Sequence, residues 1–222
     1  MNAFVLAGGR SVRMGYDKAL LELNGRPLIQ HVLDKLCALR FSPQIVGSRP
    51  DLASYAPVIH DNYPNNGPLG GIEAALAASN THQNLFLPVD LPHLPIEVLR
   101  WLIERATTTE AMATVPRLQG RPQPLCAIYS RTLLPHARAA LNEGNAKVTD
   151  AVERAETATG ERIDAFEMET VAAAQSWDQP LPLHRWFRNV NTPADFEKAV
   201  LEQSACINGR ISRKGVTRSR YT

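Results

Sequence analysis

Strand-length apolar runs alternate with helix-period stripes through the first ~105 of the chain's 222 residues, and few folds accept that pattern. Ala3–Ala7 is a continuous apolar run closed by Gly8-Gly9, as in a strand buried on both faces of a parallel sheet. Leu28, Val32, Leu33, Leu36 and Leu39 then recur at helical spacing behind Pro27, a residue suited to a helix start. Gln44–Val46 and Pro57–Ile59 read as strands, and Ile72–Ala78 as an alanine-rich helix after a glycine turn. Asn84–Val89 is a strongly apolar strand, and Pro95 opens a helix through Val98, Leu99, Leu102 and Ile103. The expected architecture is a three-layer α/β fold with a mostly parallel, mixed central sheet.

The pattern then changes. Met112–Val115 and Leu125–Tyr129 read as two strands joined by the polar loop 118–122, an antiparallel or mixed extension of the sheet. Helices are expected over Leu133–Leu141 and Val148–Ala155, whereas Thr157–Gln179 shows no readable period. Phe187–Val190 is strand-like and leads into Thr192-Pro193-Ala194-Asp195, where Thr192 can cap, Pro193 takes the first helical position, and Asp195 favours the positive helix end. Residues 1–203 are therefore read as one domain. Residues 204–222, with Arg210, Arg213, Lys214, Arg218 and Arg220 and no apolar period, are read as a disordered basic tail.

Composition narrows the functional classes. A net charge of +2 gives no general footprint for nucleic acid. Cys37, Cys126 and Cys206 show neither disulfide-framework nor zinc spacing, which fits a reducing compartment. No apolar run approaches the ~20 residues of a membrane span, and the apolar run after Met1 is too short for a signal peptide. The expectation is a cytoplasmic protein that binds neither membrane nor nucleic acid.

The segment Leu6-Ala7-Gly8-Gly9-Arg10-Ser11-Val12-Arg13-Met14-Gly15-Tyr16-Asp17-Lys18 carries the clearest chemistry. Glycines directly after a strand let the backbone approach a ligand closely, and successive amides there form an anion site. Ser11 adds a hydroxyl donor, and Arg13 and Lys18 add positive charge. A bound triphosphate brings roughly four negative charges, more than partial amide charges offset. Two cationic side chains and a divalent ion would supply the balance. The string is not a P-loop, because Tyr16 follows Gly15, and not a dinucleotide fingerprint, because Gly8 and Gly9 are adjacent.

This string resembles the L-A-G-G-x-S-x-R-M-G-x-D-K-x-L signature of the molybdenum cofactor guanylyltransferases, within the Rossmann-like nucleotidyltransferases. The related cytidylyl branch typically begins L-A-A-G. The resemblance implies that Leu6, Ala7, Gly8 and Gly9 border the nucleotide and that Lys18 binds its phosphates. Leu87-Pro88-Val89-Asp90-Leu91-Pro92-His93-Leu94-Pro95 resembles the family's D-x-P-x-L/I-P element. A carboxylate at a parallel strand's C-terminal end faces the ligand crevice, and Mg2+ takes such oxygen ligands, so Asp90 is the candidate metal ligand. Asp61 through Ile72 is a turn-rich loop; the resemblance carries Pro68, Leu69, Gly70 and Gly71 to the base pocket and Asp61 to a nucleotide contact.

Phe187-Arg188-Asn189-Val190-Asn191-Thr192-Pro193 resembles the family's F-x-N-V-N-T-P. It implies that Asn191 either completes the magnesium site or, with Asn189, contacts the pterin. Arg121–Tyr129 resembles an acceptor-side segment, with Arg117 and Arg121 equally readable as solvated charges. None of the six histidines shows metal-ligand spacing. The activity implied is Mg2+-dependent transfer of GMP from GTP to molybdopterin (as its molybdenum complex), with Lys18, Arg13 and Asp90 as the catalytic groups. Molybdoenzymes or cofactor-delivery proteins would be transient partners. The alternatives are a CTP-dependent or sugar- or alditol-phosphate enzyme of the same fold, or a non-catalytic GTP-binding adaptor.

Overall fold

A computed structural model describes residues 1–8 and 17–202. The expectations for Gly9, Ser11 and Arg13, and for the basic tail, fall outside the described residues.

In chain order the structure runs β1 (Asn2–Leu6), β2 (Glu22–Leu23), β3 (Arg26–Pro27), α1 (Leu28–Ala38), β4 (Gln44–Val46), β5 (Val58–Ile59) and α2 (Gly67–Ala78). It continues through β6 (Gln83–Pro88), α3 (Ile96–Thr109), β7 (Ala113–Leu118), β8 (Arg121–Pro122), β9 (Ala127–Ser130), α4 (Leu134–Asn142) and α5 (Val148–Thr159). The chain then forms β10 (Ile163–Glu167), α6 (Met168–Gln175), α7 (Leu183–Trp186) and α8 (residues 193–202). The main sheet has the order β10-β7-β9-β6-β1-β4-β5, with β8 paired to β7 and β2-β3 forming a separate ribbon. β1 lies parallel to both β4 and β6, while β9 is antiparallel to β6 and β7. The α/β class with a mostly parallel, mixed sheet is as the sequence implies.

Strand alternation divides the core into two layers. Ala3, Val5 and Ala7 join Leu28, Val32 and Leu36 of α1 and Val98, Leu99 and Leu102 of α3 on one face. Phe4 and Leu6 join Leu69, Ile72 and Leu76 of α2 and buried residues of α4 and α5 on the other.

Several elements differ from expectation. α2 begins at Gly67, so Pro68–Gly71 form its first turn and not a loop. Pro68 suits that position, and the glycines that read as a turn serve close packing. A Cβ on Gly70 would lie 2.7 Å from Asp61 Oδ1, and one on Gly71 would lie 3.3 Å from Leu6 Cδ2. The polar 118–122 segment is a tight hairpin in which Leu118 pairs with Arg121 and both turn residues, Gln119 and Gly120, have positive φ. The unreadable stretch holds β10 and α6. Asp164 interrupts the apolar run of β10, yet it is buried because Arg105 Nε and Nη2 donate to its carboxylate at 2.6 and 2.7 Å. Phe187–Val190 is not a strand: it follows α7 as a loop in which Phe187 and Val190 are separate buried anchors. The Thr192 start of α8 is as expected. Thr192 Oγ1 accepts from Asp195 N at 3.1 Å, and Asp195 Oδ2 accepts from Thr192 N at 2.9 Å, a reciprocal cap.

Candidate active site

The site forms where β1, β4 and β6 end on the same edge of the sheet, the edge at which parallel α/β sheets hold ligands. The β1–β4 ladder continues past β1 as Ala7 N donates to Val46 O at 3.1 Å, delivering Gly8 to the crevice. Next to it, Gly47 directly follows β4 with φ +138°. A Cβ on Gly47 would lie 2.9 Å from both Gly8 Cα and Gly8 N. A Cβ on Gly8 would lie 3.8 Å from Gly47 Cα, an ordinary van der Waals contact. Gly47→Ala combines a strained φ with a backbone overlap and should cost roughly 3 kcal/mol or more. The corresponding fall in melting temperature is about 6–12 °C, and a thermal melt checks it.

Lys18 opens a short 3-10 turn, Lys18–Leu20, whose cap is Asp17: Asp17 Oδ1 accepts from Ala19 N at 2.9 Å. From there the Lys18 ammonium donates to Asp90 Oδ2 at 3.3 Å and to Asn191 Oδ1 at 2.5 Å. Three distant sequence segments thus meet at one charge. Asp90 follows β6, whose ladder extends through Val89 N donating to Leu6 O at 3.2 Å. Asn191 is fixed from both sides. Its own N–H donates to Asp195 Oδ2 at 3.2 Å, while the preceding Val190 N–H donates to Asp90 O at 3.0 Å.

The side chains of Lys18 and Asp90 are only 19% and 16% exposed. Burial therefore holds the Asp90 carboxyl above the ordinary aspartate range, with the Lys18 charge opposing that rise. Lys35 supports the same loop from below. Its ammonium donates to Pro92 O at 2.7 Å, and burial lowers its pKa to about 8. Helix periodicity alone gave Lys35 no such role.

Asp61 lies after β5 against the first turn of α2. Its Oδ1 is buried and makes no hydrogen bond among the described residues, and burial raises its pKa. Pro68 is exposed at the helix entrance, whereas the Leu69 side chain is fully buried in the core, leaving only its backbone to face a ligand. Gly71 rests on Leu6, which joins the α2 entrance to the end of β1. Asn189 is exposed on the same loop as Asn191 but is not among the partners of Lys18 described above. Arg117 and Arg121 are exposed on the β7–β8 hairpin.

Among the described residues, no group of three or more His, Cys, Asp or Glu side chains could hold a metal by itself. The Asp90 carboxylate and Asn191 amide oxygen nonetheless converge on one cationic group. That donor set fits Mg2+, which commonly takes one or two protein oxygens and completes its shell with phosphate and water. No helix among the described residues is long and apolar enough to cross a membrane.

Comparison with known proteins identifies the family and the fold. The profile of the MobA-like NTP transferase domain matches residues 3–158. A molybdenum cofactor guanylyltransferase of Vibrio atlanticus is 39% identical over 152 residues, covering 65% of this chain and 76% of that protein. One from Syntrophotalea carbinolica is 29% identical over 199 residues, 89% of each chain. Among solved structures, molybdopterin-guanine dinucleotide biosynthesis protein A from Archaeoglobus fulgidus is similar with a TM-score of 0.75 and 26% identity, covering 92% of this chain and 99% of that one.

Proposed function

Since this chain belongs to the MobA-like NTP transferase family and is a nucleotidyltransferase, we propose that it transfers GMP from GTP to the terminal phosphate of molybdopterin. The observation that carries this reading is the meeting of Lys18, Asp90 and Asn191 at the crevice. The guanylyltransferase relatives support the choice of nucleotide and acceptor.

In the reaction an acceptor phosphate oxygen attacks the α-phosphorus of GTP. The bond from that phosphorus to the bridging oxygen breaks, and pyrophosphate leaves. The attacking monoester is already largely anionic near neutral pH, so no strong general base is required. Catalysis then rests on positioning and charge. Lys18 neutralises phosphate charge, and Gly8 offers close backbone approach. Asp90 and Asn191 would hold Mg2+ once Lys18 turns to the phosphates. The ion, when bound, supplies Lewis-acid stabilisation of the phosphoryl oxygens. Gly9, Ser11 and Arg13 belong to the same phosphate contact by motif. Asp61 and the backbone of Pro68–Gly71 face the nucleotide, and Asn189 the acceptor.

A GTP labelled at the α-phosphate tests the transfer. With Mg2+ and molybdopterin, the label should appear in a pterin–guanine dinucleotide. Label that remains in GTP with molybdopterin but moves to a sugar phosphate would place the enzyme with a different acceptor.

A further inference from the structure

Arg49 occupies an unassigned position at the mouth of this crevice. It follows Gly47 through a tight turn in which Arg49 N donates to Gly47 O at 2.8 Å. Its side chain is only 13% exposed. The guanidinium is oriented by the neighbouring Asp51, to which Nε and Nη2 donate at 3.0 and 2.7 Å. So anchored, Nη1 reaches Ala7 O at 3.4 Å and Nη2 forms an ion pair with Asp17. Ala7 and Asp17 are described residues on either side of the 9–16 segment, and Lys18 directly follows Asp17.

We propose that Arg49 is a positioning residue for the triphosphate: it ties Asp17, and through it Lys18, to the end of β1 and neutralises a carboxylate that would otherwise repel the phosphates. The proposal rests on the triphosphate reading of the Lys18 site. Two features favour this role over a surface ion pair of no consequence. The guanidinium is mostly buried while bridging separate segments, and its planar fork serves two carboxylates and a carbonyl at once. Asp17 also caps the Lys18 turn, so a shift of Asp17 moves the start of that turn.

Arg49→Gln should weaken GTP binding about tenfold, as for loss of a partly exposed charge-assisted contact, while kcat changes by no more than a few-fold. Arg49→Lys keeps the charge without the fork and should recover part of the affinity. Adding Asp17→Asn to Arg49→Gln removes the uncompensated carboxylate but keeps the cap oxygen. The double variant should therefore bind GTP more tightly than the product of the two single effects. The readouts are the GTP Kd by equilibrium titration, kcat, and a melt of each variant. Unchanged GTP Kd in Arg49→Gln, or strictly multiplicative losses in the double variant, would overturn the role of Arg49. Lys18→Ala measured alongside separates the two levels: normal GTP binding in both Lys18→Ala and Arg49→Gln would overturn the triphosphate reading itself.

Discussion

Replacing Lys18 with alanine should lower nucleotidyl transfer by about 10²–10³-fold, the scale seen when one preorganised electrostatic group is removed from a developing charge. The reason is positional. Lys18 is held by the Asp17-capped turn and donates to Asp90 and Asn191, so its charge sits where the three segments converge. No other described lysine is placed at this point by the hydrogen bonds that define the site. The 3-10 turn itself is held by the Asp17 cap and should persist, whereas the mostly buried Asp90 carboxylate loses its cation. A loss of roughly 2–3 kcal/mol, below that of a fully buried pair, would lower the melting temperature by about 4–12 °C. Turnover at saturating GTP together with a melt checks both parts. Near-normal turnover in a folded Lys18→Ala protein would remove this lysine from the chemistry.

Asp90→Asn should be comparably severe for activity and mild for stability. Among the described residues the carboxylate is the one acidic side chain bonded to Lys18, and its replacement by an amide removes the negative charge that would bind Mg2+. The expected result is a fall in turnover of about 10²-fold with a rightward shift of the Mg2+ titration. The stability sign follows from the raised native pKa of Asp90. Above that pKa the native state holds a disfavoured anion. As pH falls through it, the group is neutralised and its penalty disappears. The neutral Asn variant should therefore melt no lower than the parent at neutral pH. For the parent enzyme, protonation of Asp90 should begin the acid loss of activity at a higher pH than an ordinary aspartate would. An unchanged Mg2+ titration in Asp90→Asn would move the metal contact to other residues.

The parts of the fold visible in the sequence are those whose burial leaves a period. β1 is apolar at every position from Ala3 to Leu6 because its two faces meet two helical layers. β10 hides because Asp164 sits inside it, an arrangement stabilised mainly by the forked contact of Arg105 from a distant helix. Phe187 and Val190 imitate a strand because burial of single loop residues carries no direction. The α2 start was obscured by glycines, which read locally as a turn but are required by contacts with Asp61 and Leu6.

The same distinction applies to the site. Lys18, Asp90 and Asn191 each stand in a recognisable string, although only the fold brings their side chains together. Arg49 was not legible. Arg49-Pro50-Asp51 reads as an ordinary charged loop, and its partner Asp17 is named by tertiary structure alone. Lys35 likewise looks like a solvated helix residue until Pro92 O is found above it.

The most direct test is pyrophosphate release from each of the four nucleoside triphosphates, with Mg2+ and purified molybdopterin. Release with GTP alone is the expected result and would join the base preference to the phosphate site. Release with CTP in place of GTP would contradict the guanylyl assignment. Silence with all four, from protein that binds GTP, would contradict transfer to this acceptor.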